Sequence, residues 1–155
     1  MSAPYDARQI ANWFVTRAKQ DEKVLGLPTI LKLCYISHGW HLELLGGPLF
    51  DNRIEAWRIG PIIPDVNHSF RKHGVNVTKP IKIREKQFDR ELEPFLEKMY
   101  NTYANLPGIR LSGLNLISGG PWDIARRIGG YYAAIPDDLI KQHYALKHAR
   151  SKEAA

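Results

Sequence analysis

Residues 28–45 read PTILKLCYISHGWHLELL, and no other stretch restricts the fold as strongly. At 3.6 residues per turn, Ile30, Leu31, Leu33, Cys34, Tyr35, Ile36, Trp40, Leu42, Leu44 and Leu45 cover nearly every face of a helix. A helix without a polar face must be surrounded by other elements. Pro28 suits its first turn, where a missing N–H loses no partner. Gly46 and Gly47 end it, because glycine takes the left-handed cap conformation without a Cβ penalty. The expected architecture is mainly α: a single-domain bundle of about six helices around the central helix 28–45. The chain of 155 residues is long enough to bury such a core without disulfides or metals.

The surrounding helices are legible from their stripes and caps. Residues 6–19 place Ala7, Ile10, Ala11, Phe14 and Ala18 on one face, with Asp6 as cap. Pro64 opens a helix over 64–73 that stops at Gly74. Helix 89–104 repeats Leu92, Phe95, Leu96, Met99, Tyr100 and Tyr103, with Pro94 in its first turn. Ser112 is expected to cap a short helix, 112–118, and Pro121 to open another at PWDIARRI. The last helix starts near Ile135-Pro136-Asp137-Asp138, with acids at the positive end of its dipole. It is expected to fray into ARSKEAA, giving a domain over 1–147 and a disordered tail over 148–155. Turn chemistry at Asp51-Asn52-Arg53 predicts one small β-hairpin over 49–59, pairing Leu49–Phe50 with Ile54–Ile59. The segment VNVTKPIKI reads as extended, and Pro80 keeps it out of a central strand.

The search for chemistry yields no set. Hydrophobic residues make up 44 % and charged residues 25 %, an ordinary soluble composition. No apolar run reaches the ~18 residues of a membrane span. MSAPYDARQ lacks the basic-then-apolar pattern of a secretory signal, and a reducing cytoplasm fits the single cysteine, Cys34. Cys34 sits among apolar residues and reads as core. His38 and His41 share a helix face, but the sequence offers no further zinc ligands by spacing, so they read as polar tips of a packed helix. There is no G-x-S-x-G elbow, no phosphate loop and no acid pair for acid–base work. The expectation is therefore no catalytic residue, no metal and no cofactor. The net charge of +6 permits an acidic protein or a nucleic acid as partner. The densest basic stretch, KPIKIREK, reads as a solvated strand and loop. The aromatics fall at core spacing rather than among the lysines, which disfavours base stacking.

The residues KLCYISHGWHLELLGGPLF, then IEAWRIGPIIPDV, then PWDIAR resemble the Panacea antitoxin family, also called SocA-like or phage-associated GepA-like. The matches are Lys32, Leu33, Tyr35, Gly39 and Trp40; Pro48, Leu49 and Phe50; Glu55, Ala56, Trp57, Gly60, Pro61 and Pro64; and Pro121 and Trp122. Two positions depart from the pattern. A histidine shortly before Pro-Trp is here Ser118 or Gly119, and the valine after Gly-Pro is Ile62. The resemblance implies a non-catalytic, cofactor-free protein of bacterial or prophage origin that neutralises a toxin by direct protein contact. It also implies, for some relatives, delivery of the toxin to an ATP-dependent AAA+ protease. The alternative is a nucleic-acid-binding regulator of a prophage or toxin–antitoxin operon.

IEAWRIGPIIP then has two readings. As scaffold, Gly60 supplies a bend and Pro61 and Pro64 stiffen the exit. As interface, a free hairpin edge offers backbone groups to a partner and Trp57 is an anchor. Trp57 and Trp122 are the two aromatics in proline-marked turns, and Arg58, Asp123, Arg126 and Arg127 would form a polar rim beside them. These six are the expected partner-binding residues. Lys32, Tyr35, Trp40, Glu55, Gly60, Pro61, Pro64 and Pro121 are the expected structural motif.

Overall fold

The computed structural model describes residues 3–154. The central helix is α2, Leu27–Leu44, with Pro28 in its first turn. Twelve of its 18 residues are buried, which is what an all-round apolar sequence requires. It packs against α1 (Ala7–Gln20), α3 (Pro64–Arg71), α4 (Leu92–Tyr103), α5 (Gly108–Asn115) and α7 (Asp137–Ala154). The seventh helix, α6 (Pro121–Gly129), lies against α7 and the hairpin. The described residues are thus mainly α, with seven helices and two small antiparallel sheets.

Several expectations hold to within a residue or two. Asp6 caps α1 by accepting the Arg8 N–H at 2.9 Å. Pro64 and Pro121 open α3 and α6. Cys34 is fully buried, and burial pushes its thiol well up. Gly46, in the left-handed region at φ +81°, follows the end of α2.

The hairpin is displaced from its expected position. Strand β2 (Glu55–Trp57) pairs with β3 (Gly60–Ile62), so the turn is Arg58-Ile59 and not Asp51-Asn52-Arg53. Gly60, at φ +124°, permits the tight return that a side-chain-bearing residue would resist. Phe50 instead forms a parallel bridge with Tyr5. The second sheet, β1 (Leu25–Gly26) with β4 (Asn76–Val77), has only two residue pairs, too few to leave a period in the sequence. Helix α5 begins earlier than its expected Ser112 cap. Pro107 holds an extended φ, ψ of −56°, 147°, and its carbonyl accepts the N–H groups of Arg110 and Leu111.

Helix α7 continues through 148–154, where an irregular tail was expected. His148 Nδ1 lies 2.9 Å from Glu43 Oε2 on α2 and so ties that stretch to the bundle. The histidines of α2 are also not surface tips. His38 is 1 % exposed, stacks on Phe50 with ring centres 4.2 Å apart, and meets Asp137 at 2.8 Å. His41 Nδ1 lies 2.6 Å from the Gly47 carbonyl; a carbonyl only accepts, so this nitrogen carries the proton. Both rings link α2 to its neighbours.

Candidate partner-binding surface

The six residues expected to meet a partner come from two elements far apart in sequence, and the fold brings them together. Helix α6 packs on β2. The joint is the Trp122 indole, whose Nε1–H donates to the Trp57 carbonyl at 2.7 Å. Trp57 in turn donates to Glu55 Oε1 at 2.8 Å, and Arg53 donates to the other oxygen at 2.7 Å. Burial alone would raise the Glu55 carboxyl; the bonds from Trp57 and Arg53 outweigh it and hold the group below its ordinary value.

Beneath this layer sits Asp123, 4 % exposed. Its carboxylate accepts the Gly119 N–H at 2.8 Å and hydrogen bonds from Arg126 at 2.8 Å and Arg127 at 3.0 Å. The Gly119 amide, followed by the two arginines, keeps the acid well ionised. Asp123 therefore shapes the surface from below rather than facing outward. Gly119, at φ +79°, supplies only this backbone donor.

Two residues not anticipated complete the surface. Tyr131 and Tyr132 follow α6 and are exposed. The Arg58 guanidinium lies 4.6 Å from the centre of the Tyr131 ring, and Arg126 lies 5.8 Å from the same ring and 5.3 Å from Trp122. Tyr132 meets Trp57 edge-on at 5.5 Å. The result is an alternating aromatic and guanidinium surface, with Arg58, Arg127, Tyr131 and Tyr132 outermost and the two tryptophans half-buried. The available signal was Gly129-Gly130-Tyr131-Tyr132: two flexible residues presenting two tyrosines outside any helical stripe.

The same loop removes one of the expected docking modes. Ala56 donates its N–H to the Ala133 carbonyl at 2.9 Å, Tyr132 donates to the Ala56 carbonyl at 2.7 Å, and Ile135 donates to the Ile54 carbonyl at 2.8 Å. The β2 edge is therefore already paired, and a partner strand cannot add there. Tyr132 takes φ +71° to make this pairing, an unfavourable conformation for a residue with a side chain.

The motif residues divide by role. Tyr35 is 2 % exposed, in the core. Trp40 is half-buried and donates to the Tyr103 hydroxyl at 2.9 Å. Gly60 follows the hairpin turn, Pro61 sits in β3, Pro64 and Pro121 open helices, and Lys32 stands half-exposed on α2. Among the described residues, no group of three or more His, Cys, Asp or Glu side chains converges as a metal-binding set, and no helix is long and apolar enough to cross a membrane.

The family model described as antitoxin SocA-like, Panacea domain, matches residues 30–123, more than half of the chain. Antitoxin SocA of Caulobacter vibrioides (strain NA1000 / CB15N) is 29 % identical over 157 residues, covering 92 % of this chain and 84 % of that protein. No solved structure matches. The matched span runs from within the central helix to the Pro-Trp-Asp start of α6, and the chain belongs to the SocA-like antitoxin family, whose Panacea domain it carries.

Proposed function

We propose that this protein is an antitoxin that neutralises a cognate toxin by direct contact through the surface formed by β2, α6 and the loop 130–134. Family membership supports the antitoxin role. The observation that carries the contact is the ladder Arg58–Tyr131–Arg126–Trp122. Arginine, tyrosine and tryptophan are the residues most enriched where protein partners bind tightly. Their stacking pre-orders the long arginine side chains, which lowers the entropy lost on binding. The guanidinium groups give the toxin face an acidic complement. The proposed activity is non-catalytic and cytoplasmic, with no cofactor. Transfer of the bound toxin to an AAA+ protease would be a second step using a surface other than this one.

Co-expression with the product of the neighbouring gene, as the candidate toxin, tests the proposal. Growth should be restored, and the two proteins should purify as a complex. Rescue without any complex would rule out direct contact, and absence of rescue would rule out the antitoxin role toward that toxin.

A further inference from the structure

A second concave feature opens on the other side of the hairpin turn. Arg58 points its guanidinium at Tyr131, while the next residue, Ile59, lines an apolar cleft of about 270 Å³ between α2, β3, α3 and α5. Its walls include Leu31, Pro61, Ile62 and Val75. Ile59 and Val75 remain 66 % and 70 % exposed at its mouth. At this volume it falls just under the roughly 300–1,000 Å³ typical of small-molecule sites, and suits one aliphatic side chain with the peptide group that carries it.

Two further features specify what enters. Lys32 and Arg71 line the cleft, and no acidic residue does. Neither cation has an ion-pair partner among the described residues. Asn115 also lines it, is 8 % exposed, and has a buried Oδ1 that accepts no hydrogen bond. A buried acceptor left unpaired costs about 1–3 kcal/mol, so an occupant should bring a donor. A side-chain amide carries both donor and acceptor, matching the two groups of a peptide bond. An aliphatic acid of the lipid type would satisfy the cations but leave Oδ1 unpaired. Burial lowers the Lys32 pKa, and an acid seated beside it would oppose that shift.

We propose that this cleft is a second docking site, which seats an aliphatic side chain of a partner protein's peptide segment with an acidic residue next to it. The segment's backbone amide pairs with Asn115, and its carboxylate lies against Lys32 and Arg71. The inference rests on the reading of the chain as a protein-binding antitoxin, but it assigns a surface distinct from the aromatic one. It also gives the motif residue Lys32 a role that packing does not supply.

The test is an amide-shift NMR titration of the intact protein with capped pentapeptides, so no toxin is involved and its result is independent of rescue. The first peptide has a central leucine flanked by aspartates; the second has lysines in place of the aspartates; the third has serine in place of leucine; hexanoate is the fourth probe. The aspartate–leucine peptide should shift the amides of Leu31, Ile62, Val75 and Asn115 with low-millimolar affinity. The lysine and serine peptides should bind at least several-fold more weakly. The Lys32→Gln, Arg71→Gln double variant, altered only at the rim, should lose several-fold affinity while keeping its melting temperature. Absence of shifts at these residues, equal response to the lysine peptide, or unchanged affinity in the double variant would each overturn the proposal. Tighter binding of hexanoate than of the leucine peptide would reassign the cleft to a small apolar acid and overturn it as well.

Discussion

At Gly39 the central helix and the last helix approach so closely that a Cβ would overlap the Tyr144 ring. Tyr144 is 1 % exposed and also packs edge-on against Trp40 at 5.1 Å, so the ring has nowhere to retreat. Two effects oppose each other in Gly39→Ala. Alanine is the better helix former by about 0.8–1.0 kcal/mol. Overpacking a filled core costs typically about 1–3 kcal/mol, and more where neighbours are fixed. The clash should win, and chemical denaturation should show a net loss of stability. A neutral or stabilised variant would mean that α7 is not seated on Gly39. The same scale explains the tryptophans. Trp57 was read both as scaffold and as contact, and Trp122 as contact; the Trp122 indole donates to the Trp57 carbonyl and the Trp57 indole to Glu55, so replacing either side chain would remove a structural bond along with any contact.

The irregular segment 78–91 is held by α1 in a way that hydrophobic patterning does not reveal. Gln9 and Asn12 are 3 % and 4 % exposed, polar residues on a buried helix side. The Asn12 amide donates to the Ile81 carbonyl at 2.9 Å and accepts the Ile81 N–H at 2.9 Å. Gln9 does the same at Lys86, at 2.5 Å and 3.3 Å. Two side chains thus replace a missing strand partner. Asn12→Ala should leave the part-buried Ile81 N–H and carbonyl without their protein partner and cost roughly 1–3 kcal/mol. Hydrogen exchange should then accelerate at Ile81; unchanged protection would show that the segment is fixed by other contacts. This element also marks the limit of sequence reading. Stripes and prolines located six helices, since periodicity and fixed φ are local properties. The two-residue strands and the Asn12 and Gln9 bonds depend on partners distant in the chain, which no local pattern encodes; the hairpin turn is local, but Arg58-Ile59 lacks the Asn, Asp or Gly that marks a tight turn. The proposed partner surface was legible in part, because prolines marked Trp57 and Trp122, but Tyr131 and Tyr132 joined it only through the fold.

Across the whole molecule, burial holds His41 and His143 below their ordinary value of 6.5. Above about 6.5 both histidines are neutral folded and unfolded, so they add no pH dependence. Below it the unfolded chain takes protons that the folded chain refuses. Stability should therefore fall as the pH drops below about 6.5, before the carboxylates begin to titrate. The His41→Gln, His143→Gln variant should show a flatter melting profile over that range; an equally steep one would assign the effect elsewhere. Function depends on separating this stability from contact. Arg126 is a poor probe, because a glutamate there would face the buried Asp123 carboxylate. Arg58 and Tyr132 are exposed, and Tyr132→Gly relieves the positive φ while removing the ring. The decisive measurement is the Arg58→Glu, Tyr132→Gly double variant, scored separately for melting temperature and for rescue from the toxin. The account predicts a melting temperature within a few degrees of the parent and a loss of rescue. A variant that folds normally and still rescues fully would contradict it, leaving the hairpin and α6 as scaffold alone.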